Sequence, residues 1–502
     1  MWGPSEAIPT NIDNNCERQV PTSPTGVKTL VTPQNITIRY KEPRICETTP
    51  GVNSYAGYID LDADSHTFFW FFEARHNPKD APITLWLNGG PGADSMIGLF
   101  DELGPCSINE DLETVLNPYS WNEVTNLLFI SQPLGVGFSY STEGLGTLDP
   151  FTMLLQETWP TNAKGRYPVV DASLISTTEQ AAVAAWHIVQ GFFGGLPQLD
   201  AKVKTKEFHL WTESYVFFNY FSQQNEMIST CKLQGTKLNF GTLGLISPII
   251  DAAVQYPQHP EFAIHNTYGI KAYNETGGCL DRISKCRQTS MSTPADYAIC
   301  ADATNFCDNN VANVYMDIGN RDAQDIRIQL LQDHYAGHHW IDYLNLASTQ
   351  NAIGVDLNYT HPIARAVSRA FGNTGELSFP NFRQTLEKLL TENVRVAMVF
   401  GDADYLCNWY GGEAVSLALD YPHKKDFAKA GYAPFHIDGE EYGEVRQYSN
   451  FSFLRVYESG HKVPSYQPKA SLEMFRRTLQ GVDVAEGKIK ICDHYSTSGK
   501  KT

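Results

Sequence analysis

Apolar residues along this chain fall in short runs that Gly, Pro and Asn cut off abruptly. Asn35–Tyr40, Ser54–Leu61, Thr67–Glu73, Ile83–Leu87 and Asn126–Ile130 have strand length and are rich in β-branched and aromatic residues. Phe208–Trp211, Gly241–Ile246, Val394–Phe400 and Phe451–Tyr457 repeat the pattern further on. Helix-compatible stretches lie between them: Thr177–Phe193, Phe217–Ile228, Phe379–Leu390 and Ser471–Leu479. Thr177 with Gln180 reads as a capping box for the first of these, and Gly194-Gly195-Leu196-Pro197 reads as its stop. Strands that alternate with helices predict an α/β fold, a mostly parallel central sheet flanked by helices on both faces. The alternation lapses from about residue 251 to 345, which predicts a largely helical, Cys-rich cap inserted over the sheet. Residues 1–34 lack periodicity and read as a leader or pro-like extension, and 486–502 as a tail.

Composition narrows the function classes. The chain is 42% hydrophobic and 19% charged, as a folded protein of 502 residues with a large core should be. A net charge of −18 argues against nucleic acid and anionic membranes as partners. No apolar run reaches the 18 or more residues of a membrane span. Ten cysteines, four of them crowded into 279–307 without C-x-x-C spacing, point to disulfides in an oxidising compartment. Asn-x-Ser/Thr sequons at Asn35, Asn274, Asn358 and Asn450 point the same way and are candidate glycosylation sites. Met1–Asn15 contains neither a basic nor an apolar signal region, so the expected true start lies upstream.

Candidate chemistry gathers at strand ends. Leu85-Trp86-Leu87 runs into Asn88-Gly89-Gly90-Pro91-Gly92, a turn that leaves backbone N–H groups free to hold an oxyanion. Ser214 follows Phe208–Glu213 and precedes a helical stretch, the position of a nucleophile elbow. Asp404 follows the strand at Val394–Phe400, and His461 follows the one at Phe451–Tyr457. The order Ser, Asp, His along the chain is that of the α/β-hydrolase fold. His334 and His338 have helical i, i+4 spacing, but without an H-E-x-x-H pattern no metal is expected there, and no organic cofactor is implied.

The segments LWLNGGPG at 85–92, FDELGPC at 100–106, WNEVTNLLFISQPLGVGFSYS at 121–141, WTESY at 211–215, GDADYLCNW at 401–409 and ESGHKVPSYQP at 458–468 make the chain resemble the serine carboxypeptidase family, above all its secreted fungal members. The resemblance covers about residues 35–485. It implies Ser214 as nucleophile, His461 as general base and acid, Asp404 as orienting carboxylate, and Gly90 and Tyr215 as oxyanion donors. It implies that Asn88, Glu102 and Glu213, with Trp86 and Gly89 beside them, bind the carboxylate of a peptide C-terminus. The residue matching Cys407 is often an unpaired thiol in the family.

Two touching carboxyls cannot both ionise cheaply, so one should keep its proton and donate to the substrate carboxylate, which predicts an acidic optimum on peptides. The implied activity is that of a secreted or vacuolar serine carboxypeptidase working through an acyl-enzyme; the oligomeric state is unspecified. The chain departs from the family twice. About six residues are absent after Tyr215, where Val216 stands in place of a small residue, and Gln324–His339 replaces an acidic, Pro-rich segment. The first departure opens the alternative of a catalytically impaired binding protein; a carboxypeptidase-like acyltransferase is a further alternative on the same scaffold, which nothing in the sequence specifically favours.

Overall fold

Twelve strands form one sheet in the computed structural model, which describes residues 20–148, 155–156, 165–169, 176–215, 227–229, 234–271, 277–330, 338–378 and 382–499. In chain order they are β1 (Lys28–Val31), β2 (Thr37–Lys41), β3 (Ser54–Asp62), β4 (Ser65–Phe72), β5 (Ile83–Leu87), β6 (Asn126–Ile130), β7 (Glu207–Tyr215), β8 (Asn239–Ile249), β9 (Arg395–Gly401), β10 (Ala433–Ile437), β11 (Glu440–Tyr448) and β12 (Phe451–Val456). Their order in space is β1-β2-β3-β4-β6-β5-β7-β8-β9-β12-β11-β10. The six strands from β6 to β12 run parallel, and antiparallel pairs extend the sheet at both edges. This is the α/β-hydrolase arrangement expected from the alternation of elements.

The parallel strands are apolar at nearly every position because both faces are covered. Leu85 and Leu87 of β5 enter one core with Leu210 of β7, while Trp86 enters the opposite core with Trp211. Helix α1 (Thr178–Leu199) lies on the first face through Trp186 and Phe192. Each fully buried side chain of this size contributes about 1.5–3 kcal/mol. Thr177 caps α1 as expected, its hydroxyl accepting from Gln180 N. The helix does not stop at Gly194. It runs on through Gly194, Gly195 and Pro197, because it must pass close to the sheet there. A Cβ on Gly195 would lie 2.5 Å from Ile38 Cδ1.

The insertion is helical. Its helices α2 (Gly277–Cys286) and α3 (Pro294–Cys307) are cross-linked by Cys279–Cys307 and Cys286–Cys300. Closing loops of this length restricts the unfolded chain by about 3 kcal/mol per bridge. Asp251, fully buried where the insertion leaves β8, pairs with Arg287 of the insertion and with Arg383 Nε at 2.8 Å. A third disulfide joins Cys46 to Cys106. Helix α4 (Pro468–Gln480) covers the second face, where Phe475 stacks on Trp121 at 3.9 Å.

Several sequence expectations need correction. Lys28–Val31, read as part of a leader, is the edge strand β1 and pairs with β2. Two of the four sequon asparagines are buried in the folded chain. Asn358 is buried, with its amide nitrogen donated to Asn345 Oδ1. Asn450 is buried and donates to the carbonyls of Leu390 and Val394. Asn35 is exposed at the turn before β2, and Asn274 lies outside the described residues, as does most of Phe217–Ile228.

Buried carboxyls give the fold a pH signature. Burial pushes Asp94 and Asp308 up to about 6, and it does the same to Asp200 beside Glu73. A carboxyl raised in the folded state stabilises it below the unfolded value near 3.9, and that stability is lost as pH rises through about 6. Glu47 and Asp60 are shifted the other way by hydrogen bonds and by Arg75 and Arg39, so their contribution is lost in strong acid. The thermal midpoint should therefore be highest near pH 4, fall between about 4 and 6, and draw no further change from these three carboxyls between 6 and 8. Asp308→Asn keeps the hydrogen bond from Tyr256 and should remove about 2–3 kcal/mol of that dependence. Calorimetric scans of both proteins at pH 4, 6 and 8 check this; parallel curves would contradict it.

Candidate active site

The register of three parallel strands brings the site together. Leu87, the last residue of β5, pairs with Thr212 of β7, which runs on to Tyr215. The turn after β5 is forced into contact with the end of β7. A Cβ on Gly89 would lie 2.5 Å from both Glu213 O and Tyr215 N, which only glycine avoids. Gly90 follows at φ +106°, and its carbonyl leads into Pro91, whose own carbonyl accepts from Ser368 Oγ at 2.6 Å.

Ser214 takes φ +68°, a left-handed conformation that costs a non-glycine residue about 1–2 kcal/mol. The β7–β8 ladder shifts register between Glu213 and Tyr215, where the chain turns to present Ser214. On the far side of β8, Asp404 follows β9 and His461 follows β12. His461 Nδ1 donates to Asp404 Oδ2 at 2.7 Å, and Asp404 Oδ1 accepts from Cys407 N at 3.1 Å. His461 and Asp404 are both buried. The Cys407 thiol is hydrogen-bonded to Ser214 and completes the cluster. Burial, reinforced by Asp404 and Glu213, pushes this thiol well up, so it is held as the neutral S–H. Asp404, Cys407 and His461 present side-chain ligand atoms within 4.8 Å of one another.

The insertion supplies a brace that the sequence reading did not assign. Tyr405 N and Leu406 N donate to Ala323 O at 3.0 and 2.9 Å, and Ile326 N donates to Ala403 O at 3.1 Å. One residue along, Gln324 O accepts from His461 N at 2.8 Å. Residues 323–326 thus tie the Asp404 loop to the His461 loop. All of them but Ala323 belong to the segment noted as departing from the family pattern. Within the same segment, His338 Nδ1 pairs with Asp101 at 3.0 Å, while His334 lies outside the described residues.

A pair of buried acids lies beside the nucleophile. Asn88 Nδ2 donates to Glu102 Oε1 at 3.0 Å and to Glu213 Oε1 at 3.1 Å. Its Oδ1 accepts from Trp86 Nε1 at 2.7 Å and from Gly98 N at 3.0 Å, which fixes the amide orientation. The second oxygen of each glutamate, Oε2, is buried without a donor from the protein. Burial raises the Glu102 carboxyl. Burial and the Glu102 charge together raise Glu213 well above the ordinary range, with Lys462 opposing both. The pair retains a proton where isolated glutamates have lost theirs. Such a pair can donate a hydrogen bond to an incoming carboxylate.

The sequence-predicted residues Trp86, Asn88, Gly89, Gly90, Glu102, Glu213, Ser214, Tyr215, Asp404 and His461 thus fall in one connected region. Sequence reasoning missed Asp94, buried beneath the turn and accepting from Ser131 Oγ at 2.7 Å and Tyr359 OH at 2.8 Å. It also missed Glu376, which bonds the Tyr215 hydroxyl at 2.9 Å. No local motif marks either one. The shortened stretch from Val216 lies outside the described residues.

Comparison with known proteins agrees with this geometry. A family model described as serine carboxypeptidase matches residues 43–481. Carboxypeptidase S1 homolog A of Arthroderma otae is 39% identical over 526 residues, covering 93% of this chain and 80% of that protein. Carboxypeptidase S1 of Penicillium janthinellum is 33% identical, covering 88% of this chain and 98% of that protein. Among solved structures, the prohormone-processing carboxypeptidase Kex1(delta)p of Saccharomyces cerevisiae superposes with a TM-score of 0.66 at 20% identity, covering 88% of this chain and 95% of that one. At that identity the likeness speaks for the fold.

Proposed function

The chain belongs to the serine carboxypeptidase family, and we propose that it removes residues from free peptide C-termini through an acyl-enzyme, best in acidic surroundings. The observation that carries this reading is the acid pair Glu102–Glu213 held by Asn88 one residue from Ser214. A hydrolase acting on esters or internal peptide bonds has no use for a proton-sharing pair there. A substrate ending in a carboxylate does.

Ser214 Oγ attacks the carbonyl carbon of the last peptide bond, and His461 takes its proton. Asp404 holds the imidazole with Nδ1 protonated, leaving Nε2 as the base. The N–H groups of Gly90 and Tyr215 stabilise the oxyanion. His461 then protonates the departing amino group, and water repeats the sequence on the acyl-enzyme. Throughout, Asn88 and the protonated member of the acid pair hold the terminal carboxylate, with Trp86 and Gly89 shaping the pocket. The left-handed Ser214 and the intact His461–Asp404 pair support catalysis over a purely binding role. The three disulfides support an oxidising compartment, and we place the enzyme in a secreted or vacuolar setting with Asn35 as the accessible glycan site.

Two outcomes test the reading. A fluorophosphonate should label the folded protein, and Ser214→Ala should abolish labelling and lower kcat on the order of 10⁴-fold or more. Folded protein that stays unlabelled would leave the cleft as a binding surface. The second test is pH. Above the range in which the acid pair keeps its proton, two negative carboxyls face a third, and like charges a few ångströms apart repel by about 4 kcal/mol at a partly solvated site. KM for a blocked dipeptide should rise on the order of ten-fold or more between pH 5 and 8, while an ester without a free carboxylate changes far less. Parallel pH profiles for the two substrates would exclude the assigned role of Glu102 and Glu213.

A further inference from the structure

We propose that Glu376 is a positioning residue for oxyanion stabilisation: its carboxylate anchors the Tyr215 hydroxyl and so fixes the N–H of the residue that follows the nucleophile. The inference rests on the reading of Tyr215 N–H as an oxyanion donor.

An L-residue in the left-handed region persists only where its neighbours over-determine it, and Ser214 at φ +68° needs restraint on both sides. Upstream, β7 is paired with β5 as far as Thr212 and with β8 as far as Glu213. The ladder then slips between Glu213 and Tyr215, where an N–H must be aimed. Downstream, the restraint comes from a side chain. The buried Tyr215 hydroxyl donates to Glu376 Oε2 at 2.9 Å. The same oxygen accepts from Thr178 N at 2.5 Å and Thr178 Oγ1 at 2.8 Å, and the two hydroxyls touch each other. Phe371 packs edge-on against the Tyr215 ring, so the phenol is held at its tip and on its side.

The location makes a buried carboxylate tolerable. Thr178 is the first residue of the 22-residue helix α1, whose N-terminal N–H groups and dipole favour negative charge. Burial raises the Glu376 carboxyl, and the Thr178 and Tyr215 donors pull it back. A glutamate serving only as a helix cap would need Thr178 alone. The third bond, from Tyr215, links the cap to the site 161 residues earlier in the chain.

Tyr215→Phe separates the two roles, because it leaves both Thr178 bonds in place and keeps the Tyr215 N–H. Steady-state kinetics on a blocked dipeptide and on an ester, with the thermal midpoint of each variant, form the test. Tyr215→Phe and Glu376→Ala should each lower kcat about ten- to a hundred-fold on both substrates, with KM changed less than about three-fold. Glu376→Gln, which still accepts from both partners, should recover most of kcat. The double variant should lose no more than the worse single one, as expected for groups acting through one bond. Full kcat in Tyr215→Phe, or a loss confined to KM or to the folded fraction, overturns the inference while leaving the active-site reading intact. An unlabelled, inactive wild type overturns both.

Discussion

The close approach of two backbone segments at Gly89 governs everything else in the site. Parallel pairing of β5 with β7 ends at Leu87 and Thr212, and the turn that follows β5 meets the last residues of β7 with no room to avoid them. The 2.5 Å that would separate a Gly89 Cβ from Glu213 O and Tyr215 N leaves only a hydrogen atom at that spot. From this contact the geometry propagates outwards. It places Asn88 Nδ2 between Glu102 and Glu213. The positions of Ser214 and of the Glu102–Glu213 pair are therefore tied to one steric constraint, and neither could shift without the other.

Asp404 and His461 sit on separate loops, and sheet register alone does not align them. Residues 323–326 of the insertion do so with four backbone hydrogen bonds, three to the loop of Asp404 and one to His461. Backbone groups are well suited to this work because they carry no rotamer freedom to lose. The insertion is in turn held to the scaffold by Asp251, whose charge is met from both sides by Arg287 and Arg383. A segment whose composition departs from its relatives can keep this function, since what it contributes is main-chain geometry.

This division explains what the sequence made legible. The central strands announced themselves because burial on both faces makes them continuous apolar runs, and the site turns did so because Gly, Pro and Asn mark them locally. The edge strand Lys28–Val31 has only one buried residue, Leu30, and looks like a polar linker. The hairpin of β10 and β11 was missed for the same reason, with charged residues outward on a half-exposed edge. Helix α1 ran past its Gly-Gly-Pro because tight packing against Ile38 outweighs intrinsic propensity. The sequons at Asn358 and Asn450 are short motifs whose meaning depends on burial, which only the fold decides. Disulfide pairing and the Glu376–Tyr215 bond depend on residues far apart in sequence, and no local pattern encodes them.

Three kinds of buried carboxyl meet around Ser214, and their differences follow from how their oxygens are satisfied. Asp404 has a donor on each oxygen, from His461 and from Cys407 N, and suits a fixed negative charge. Glu376 gathers three donors on one oxygen at a helix N-terminus and suits an anchor. Glu102 and Glu213 share one amide between them and leave an oxygen each without a protein donor. A proton shared between two such carboxyls removes the repulsion that two ionised ones would feel, and it leaves an O–H that can donate. On the proposed reading that O–H is the donor to the terminal carboxylate of the substrate, which by itself brings only acceptors. The proton held by the pair, more than the proposed triad, is then what would make this hydrolase scaffold select a chain end.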